Sequence, residues 1–271
     1  MGKISDESFK PSNVSPDSEN GEKSEKTIID TKFRTKEIVK KGSKLGKYSD
    51  LIVGKKGILA LLKYELITSL FSSFPGALGI LLRGIFYRLL FKRVGRNVNF
   101  GKNITIRHPN KIIIGDNVII DENCMLDAKG STNEGIVIGN NCFIGRNSIL
   151  SCKNGDIVLG SNITVGFNCE LFSASKLIIG SDTLIAAYVY CIAGDHEYNT
   201  VEKPIGSLNA VSRGIIIEEG CWLGSKALIL DGVKIGKNSI IGAAAVVNKD
   251  IPGYSIAIGI PASVVKSRKE S

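Results

Sequence analysis

The stretch IEEGCWLGSKALILDGVKIGKNSIIGAAAVVNKDIP, residues 217–252, decides the fold. Cut every six residues, it reads IEEGCW, LGSKAL, ILDGVK, IGKNSI, IGAAAV and VNKDIP. An aliphatic residue leads each hexad, and a small or β-branched residue or a cysteine holds its fifth position. A fixed short period marks a stacked architecture, in which one unit buries its apolar side only against the next. Each hexad supplies one short strand and one tight corner, and three hexads close a triangular coil of about eighteen residues. The leading side chain points inward and stacks on its equivalent one coil away, at the ~4.8 Å spacing of paired strands. Gly or Asn near the corner accepts the positive φ that the turn requires. The fifth side chain also faces inward, into a corner that holds only a small or β-branched residue.

The same cadence runs upstream, as IGDNVI from Ile114, IDENCM from Ile120, IGNNCF from Ile138, IGRNSI from Ile144, LGSNIT from Leu159, VGFNCE from Val165, IGSDTL from Ile179 and IAAYVY from Ile185. The fold class is therefore all-β, a left-handed parallel β-helix of about seven coils beginning near residues 94, 114, 138, 159, 179, 217 and 235. Two short amphipathic helices and a flexible N-terminal arm precede it. Where the spacing between equivalent positions exceeds eighteen, as from Ile114 to Ile138, the surplus must leave the prism as a loop. The largest surplus lies between Cys191 and Ile217 and ejects about twenty residues. Long excursions from a rigid scaffold are where function concentrates.

Four of the six cysteines (Cys124, Cys142, Cys169 and Cys221) occupy fifth positions, which makes packing their role. No C-x-x-C pair or metal-ligand rhythm appears, and reduced thiols in a cytoplasmic protein are expected. Residues 1–20 are polar and lack the apolar core of a signal peptide. Residues 1–54 read as a flexible polar and basic arm, with nine Lys and Arg against Glu37 and Asp50 between residues 32 and 56. Residues 55–93 are strongly apolar at helical spacing. The seventeen uncharged residues between Glu65 and Arg83 reach only the lower limit of a membrane span, and Pro75-Gly76 interrupts them. Two helices, near 57–73 and 76–92, fit better. Their apolar faces (Leu62, Leu66, Leu70 and Ile80, Ile85, Leu89) would lie on an anionic membrane at its cytoplasmic face or pack on the first coils. The β-helix domain covers 94–265, and 266–271 form a basic tail. The net charge of +9 does not by itself choose among partners; nucleic acid is not expected.

The ejected loop, AGDHEYNTVEKPIGSLNAVSRG, contains His196, one of two histidines in the chain. It sits at the root of the loop beside Asp195 and Glu197. An imidazole titrating near neutrality can take the proton of an acceptor hydroxyl as that oxygen attacks a thioester. His108, in RHPNK, reads as a turn residue. Two histidines do not make the three-histidine zinc site of a β-helix carbonic anhydrase, so no metal is expected.

Three motifs carry a resemblance: the loop histidine in GDHEYN, the segment 221–252 and the closing GIPASVVK. From about residue 94 to 266 the chain resembles the hexapeptide-repeat acyltransferases, in the maltose/galactoside, xenobiotic and capsular-polysaccharide O-acetyltransferase group. The resemblance implies a homotrimer with sites between neighbouring prisms, acetyl-CoA as donor, and direct transfer with His196 as general base. By motif, Trp222, Gly224 and Ser225 would line the pantetheine channel, Gly242 and Ala243 would bond the cofactor through backbone, and Asn248, Lys249 and Lys266 would meet its phosphate and adenine end. Lys266, Arg268 and Lys269 with Lys249 suit those phosphates. Asp195, Glu197, Tyr198, Asn199 and Arg213 are the candidates for the acceptor. Gly166, Ser173 and Ile260 depart from the maltose/galactoside pattern, which leaves a sugar or surface-polysaccharide precursor as the general acceptor class. N-acetylation of a nucleotide-linked amino sugar and a non-catalytic scaffold are the alternatives.

Overall fold

The computed structural model describes residues 27–29 and 43–270. Seven complete coils stack into a three-faced parallel prism. The first face holds Arg93–Val94, Ile112–Ile114, Ile136–Ile138, Asp156–Leu159, Lys176–Ile179, Ile215–Ile217 and Lys234–Ile235, one strand per coil. The second face runs from Asn99–Phe100 through Trp222–Leu223 and Ile240–Ile241 to Ser255–Gly259, closed by antiparallel Ala262–Ser267. The third runs from Thr105–Arg107 through Ile149–Cys152, Glu170–Ser173 and Tyr190–Ala193 to Val246–Val247.

The hexad explains this register. Leading residues stack in three inward columns, for example Ile114, Ile138, Leu159, Ile179, Ile217 and Ile235, each exposed by 1% or less. Burying each such side chain is worth roughly 1.5–3 kcal/mol relative to exposure, and columns of them hold successive coils together. The fourth hexad position carries the left-handed corner. At the first corner it is Asn97, Asn117, Asn141, Asn162 and Asp182, with φ from 53° to 58°. Their side chains also form a ladder, each Asn Nδ2 donating to the Oδ1 of the next coil at 2.8–3.1 Å. Where the second hexad position is glycine, coils touch closely: a Cβ at Gly139 would lie 2.3 Å from the Gly160 carbonyl oxygen. All six cysteines are free and buried, and four of the thiols donate to a carbonyl one coil on, Cys142 Sγ to Gly160 O at 3.2 Å among them.

Helices α1 (Lys44–Tyr48), α2 (Ile58–Phe71) and α3 (Gly76–Phe86) cover the N-terminal end of the prism. Among the described residues no helix is long and apolar enough to cross a membrane. Leu61, Tyr64 and Ile67 pack inward, and Tyr64 Oη donates to Ile106 O at 2.6 Å. Arg83, which reads in sequence as a charge flanking an apolar run, is instead buried. Its Nε donates to Phe100 O at 2.9 Å and its Nη1 to Phe74 O at 2.7 Å and Phe71 O at 3.1 Å, joining both helices to the first coil. The faces named from the sequence (Leu62, Leu66, Leu70, Ile80, Ile85 and Leu89) turn away from the coils and stay exposed.

Two boundaries need correction. The flexible arm was expected to reach residue 54, yet residues 44–53 are helical, with a π-helical turn at Ser49–Val53 docked on the first coil. Val53 is buried, and His108 accounts for much of the attachment. Its N–H donates to Ile52 O at 2.8 Å, and its Nε2 lies 3.1 Å from Asp50 O. His108 is thus a turn residue, at φ 51°, and also a buried anchor. Burial lowers its pKa, the Asp127 carboxylate opposing that shift. Thr27–Ile29, within the same expected arm, form a strand; residues 1–26 and 30–42 of the arm lie outside the described residues. At the other end, Lys266 belongs to the closing strand, where it pairs with Ile256, and not to a tail.

Candidate functional site

The long excursion leaves the prism at Gly194 and returns at Gly214, between the third face of coil 5 and the first face of coil 6. It is not a bare loop. Asp195–His196 pairs antiparallel with Ala210–Ser212, and Thr27–Ile29 adds a third strand on the far side of Ala210–Ser212. Its return is held by one carboxylate. Asp231 accepts from Ser212 Oγ at 2.6 Å, Arg213 N at 2.8 Å and Gly214 N at 3.0 Å, while Ser212 Oγ also meets Ser175 Oγ at 2.6 Å. Sequence reading missed Asp231, Ser212 and Ser175, because acid and hydroxyls meet only after the chain has gone once around the prism.

His196 is exposed, at the rim of a groove of about 320 Å³ on the third face. Outward residues of coils 3–5 form its floor: Ser151, Lys153, Glu170, Phe172, Tyr190 and Ile192. Among the described residues the imidazole has no hydrogen-bond partner, so both ring nitrogens are available to a ligand. The acidic neighbours do not orient it. Asp195 Oδ1 accepts from the His196 backbone N–H at 2.7 Å. Glu197 is held by Asn209, through Glu197 N to Asn209 O at 2.9 Å and Asn209 Nδ2 to Glu197 Oε2 at 3.1 Å. These contacts build the hairpin that presents His196. Asp195 lines the groove; Tyr198 and Asn199 are exposed beyond it, and Arg213 lies at the loop's return, beside Gly232.

The residues assigned by motif to the donor lie elsewhere on the chain. Trp222 is 47% exposed on the second face, between Leu184 and Ile240 in register. Gly224, Ser225, Gly242 and Ala243 form the corner between the second and third faces on coils 6 and 7. Coil stacking alone accounts for glycine at two of these, since a Cβ would come within 2.6 Å of Ala243 N from Gly224 and 2.5 Å of Ile258 Cγ2 from Gly242. This corner has a second property. At the first corner, the third-position N–H groups of coils 1–4 are capped by the next coil, as Asp116 N is by Asn140 Oδ1 at 2.8 Å and Asn140 N by Ser161 Oγ at 3.2 Å, whereas Ser181 N and Glu219 N on coils 5 and 6 have no acceptor among the described residues. At the second corner, the N–H groups of Ala187, Ser225 and Ala243 have no acceptor among the described residues. The equivalent N–H groups of Lys102, Arg146 and Phe167 on coils 1, 3 and 4 are open as well, so what sets Ala187, Ser225 and Ala243 apart is that their small side chains leave the donors uncovered. Ala187 was not singled out from the sequence.

The basic residues grouped from the sequence separate. Asn248 and Lys249 follow the last strand of the third face, whereas Lys266 is on the closing strand of the second. Arg268 Nη1 donates to Asn238 O, and Lys269 Nζ sits 4.7 Å from the Tyr254 ring. Within one chain, His196 and the open corner stand at opposite edges of the third face. Among the described residues no group of His, Cys, Asp and Glu could hold a metal ion.

Comparison with known proteins bears on the family and the fold. Family models match residues 214–249, as bacterial transferase hexapeptide (six repeats), and residues 93–128 and 135–171, as hexapeptide repeat of succinyl-transferase. The chain is 31% identical over 134 residues to a galactoside O-acetyltransferase of Lactococcus lactis, covering 49% of this chain and 64% of that protein. It is 31% identical over 137 residues to a protein of Escherichia coli assigned as the colanic acid biosynthesis acetyltransferase WcaF, covering 51% and 72%. The chain thus spans less than two thirds of the galactoside enzyme's own length. Among solved structures, the N-acyltransferase AntD of Bacillus cereus, in complex with dTDP and coenzyme A, has the same fold. It is 21% identical, with a TM-score of 0.50, over 73% of this chain and 92% of that one. The chain belongs to the hexapeptide-repeat acyltransferase family.

Proposed function

We propose that the chain transfers an acetyl group from acetyl-CoA to a hydroxyl of a sugar or surface-polysaccharide precursor, with His196 as general base. The observation that carries this is the exposed imidazole over the groove on coils 3–5, without a hydrogen-bond partner among the described residues and presented by a hairpin whose acids are occupied in holding it. The imidazole takes the acceptor proton as the oxygen attacks the thioester carbonyl. The C–S bond then breaks, and the imidazolium returns the proton to the departing CoA thiolate. No acyl-enzyme forms.

Acyl-CoA is the donor that the relatives' chemistry suggests: AntD is described with coenzyme A or 3-hydroxybutyryl-CoA. The open N–H ladder at Ser225 and Ala243 suits the amide carbonyls of pantetheine, and Trp222 its apolar arm. Because these stand at the far edge of the third face from His196, a complete site needs the corner of a neighbouring copy. An outward apolar column on the second face, with Ile119, Phe143, Leu184 and Trp222 each at least 37% exposed, offers a surface on which copies could meet as a trimer. Asn248, Lys249 and Lys266 would then take the phosphate end. The same reading sets α2 and α3 against the cytoplasmic face of an anionic membrane.

The acceptor class rests on relatives named for galactoside and colanic acid. N-acylation of a nucleotide-linked amino sugar is the second reading, favoured by AntD's complex with dTDP-4-amino-4,6-dideoxyglucose. Mass spectrometry of acetylated acceptors separates the two. His196→Ala is expected to lower turnover by roughly 10²–10⁴, the usual worth of a positioned base, while CoA still binds. Unchanged turnover removes His196 from the mechanism.

A further inference from the structure

The helices at the base of the prism have two unlike sides. The inner side is fixed by Leu61, Tyr64, Ile67 and the buried Arg83 fork. The outer side carries Leu59, Leu62, Leu66, Leu70, Leu81 and Ile85, exposed by between 52% and 79%. Singly exposed aliphatics are ordinary, but a contiguous set on adjoining helices marks a contact surface. A helix that is apolar on both sides belongs in a core or at a lipid interface.

Beside this surface, between the start of α2 and the chain leaving α3, lies a groove of about 840 Å³. Val53, Tyr64, Phe91 and Pro109 are its buried floor, and Lys55, Lys56, Lys63 and Lys92 line it. Lys92 has an exposed partner, Glu134, at 3.9 Å. Among the described residues no carboxylate pairs with Lys55, Lys56 or Lys63. The nearby Glu65 is engaged by Tyr48 Oη at 2.6 Å. A second copy makes a poor occupant, because a two-fold contact through this patch would set one set of lysines against the other. An anionic lipid surface supplies both missing complements, negative charge for the groove and hydrocarbon for the leucines.

Resting on the reading of α2 and α3 as a membrane contact, we propose that this groove is a headgroup site. The phosphate of an anionic phospholipid sits among Lys55, Lys56 and Lys63, and the exposed aliphatics lie among the acyl chains beside it. The site fixes the orientation of the enzyme: the base of the prism rests on the bilayer. Coils 3–5 and the groove under His196 then stand about 10–20 Å above coil 1, at ~4.8 Å per step. An acceptor carried near the membrane surface comes within reach of that height.

The test uses the full chain with phosphatidylcholine vesicles, with and without phosphatidylglycerol. Each cation at an anionic surface is worth about fivefold in partitioning, so Lys55→Gln/Lys56→Gln/Lys63→Gln should lose roughly 100-fold on anionic vesicles. A matched variant outside the groove, Lys44→Gln/Lys47→Gln/Arg88→Gln, should lose far less. Dihexanoyl-phosphatidylglycerol below its micelle concentration should protect Lys55, Lys56 and Lys63 from amine acylation, and dihexanoyl-phosphatidylcholine should not. Equal losses in the two triple variants, or no selective protection, overturn the headgroup site while wild-type vesicle binding upholds the membrane contact. A wild-type protein that ignores both kinds of vesicle overturns the contact and the site together. Transfer to a soluble acceptor is expected to be unchanged in every variant, so these results stand apart from the enzymatic reading.

Discussion

Replacing Asp231 by Ala should loosen the loop that carries His196 and leave the prism intact. Three donors lose their acceptor: Ser212 Oγ at 2.6 Å, Arg213 N at 2.8 Å and Gly214 N at 3.0 Å. Two of the three are partly compensated. Gly214 N keeps Ser212 Oγ at 3.1 Å, and Arg213 is exposed, so its N–H can turn to water. The buried Ser212 hydroxyl, which still accepts from Gly214 N, keeps only Ser175 as an acceptor for its own proton. A hydrogen bond to a charged acceptor is worth about 1.5–3 kcal/mol and a neutral one about 1. Net of compensation, the loss is about 2–3 kcal/mol, or local opening that is roughly 30- to 150-fold more frequent. The loop lies between complete coils, so this energy should appear locally. The assay is native-state amide exchange followed residue by residue, with turnover measured in parallel. Protection at Ala210 and at Glu197, whose N–H donates to Asn209 O, should fall by about that factor, while the stacked strands at Leu150 and Leu171 stay protected. Asp231→Asn, which keeps an acceptor oxygen, should show about half the effect in free energy. Unchanged exchange at Ala210 and Glu197 would refute the role given to this carboxylate.

Arg83→Lys cannot reproduce a fork that reaches Phe71, Phe74 and Phe100 carbonyls, so we expect a loss of about 2 kcal/mol, read as a lower urea midpoint. Burial raises the thiol pKa of all five internal cysteines other than Cys124, and moves Cys124 to about 11. All six should therefore resist alkylation at pH 8 in the native protein and react after denaturation; a fast native thiol would contradict the packing. His108 is buried with a lowered pKa, so the unfolded chain binds the proton more readily. Its contribution is complete above the ordinary value of about 6.5 and declines as pH falls from there toward the lowered folded value. Proteolysis near residues 49–53 should accelerate over that window in the wild type and less in His108→Asn, whose side chain tolerates the left-handed backbone.

The prism was legible because its rule is repeated: Ile217, Leu223 and Ile229 each obey a neighbour six residues away, and stacking makes that spacing structural. Cys124, Cys142, Cys169 and Cys221 were read from their fifth positions for the same reason. Where contacts cross from one coil to another without a period, the sequence was silent. Asp231 closes a loop that returns 17–19 residues earlier in the chain, and Arg83 bonds carbonyls, which carry no residue signature. Composition also misled. The lysines around residues 44–56 suggested a solvated arm, but Val53 and the backbone at Asp50 and Ile52 supply the docking while the lysines stay outside. Asp195 and Glu197, read from the sequence as candidates for the acceptor, make their hydrogen bonds within the hairpin. The open donors at Ala187, Ser225 and Ala243 are backbone groups, which carry no residue signature.

A structure of the assembled protein with CoA bound would measure the decisive distance. The thiol should approach the His196 imidazole to about 3–4 Å, with the pantetheine amides on the N–H groups of Ser225 and Ala243 from an adjacent copy. A thiol bound far from every His196, or CoA lodged on a surface that does not include that corner, would contradict the shared site and leave only the prism.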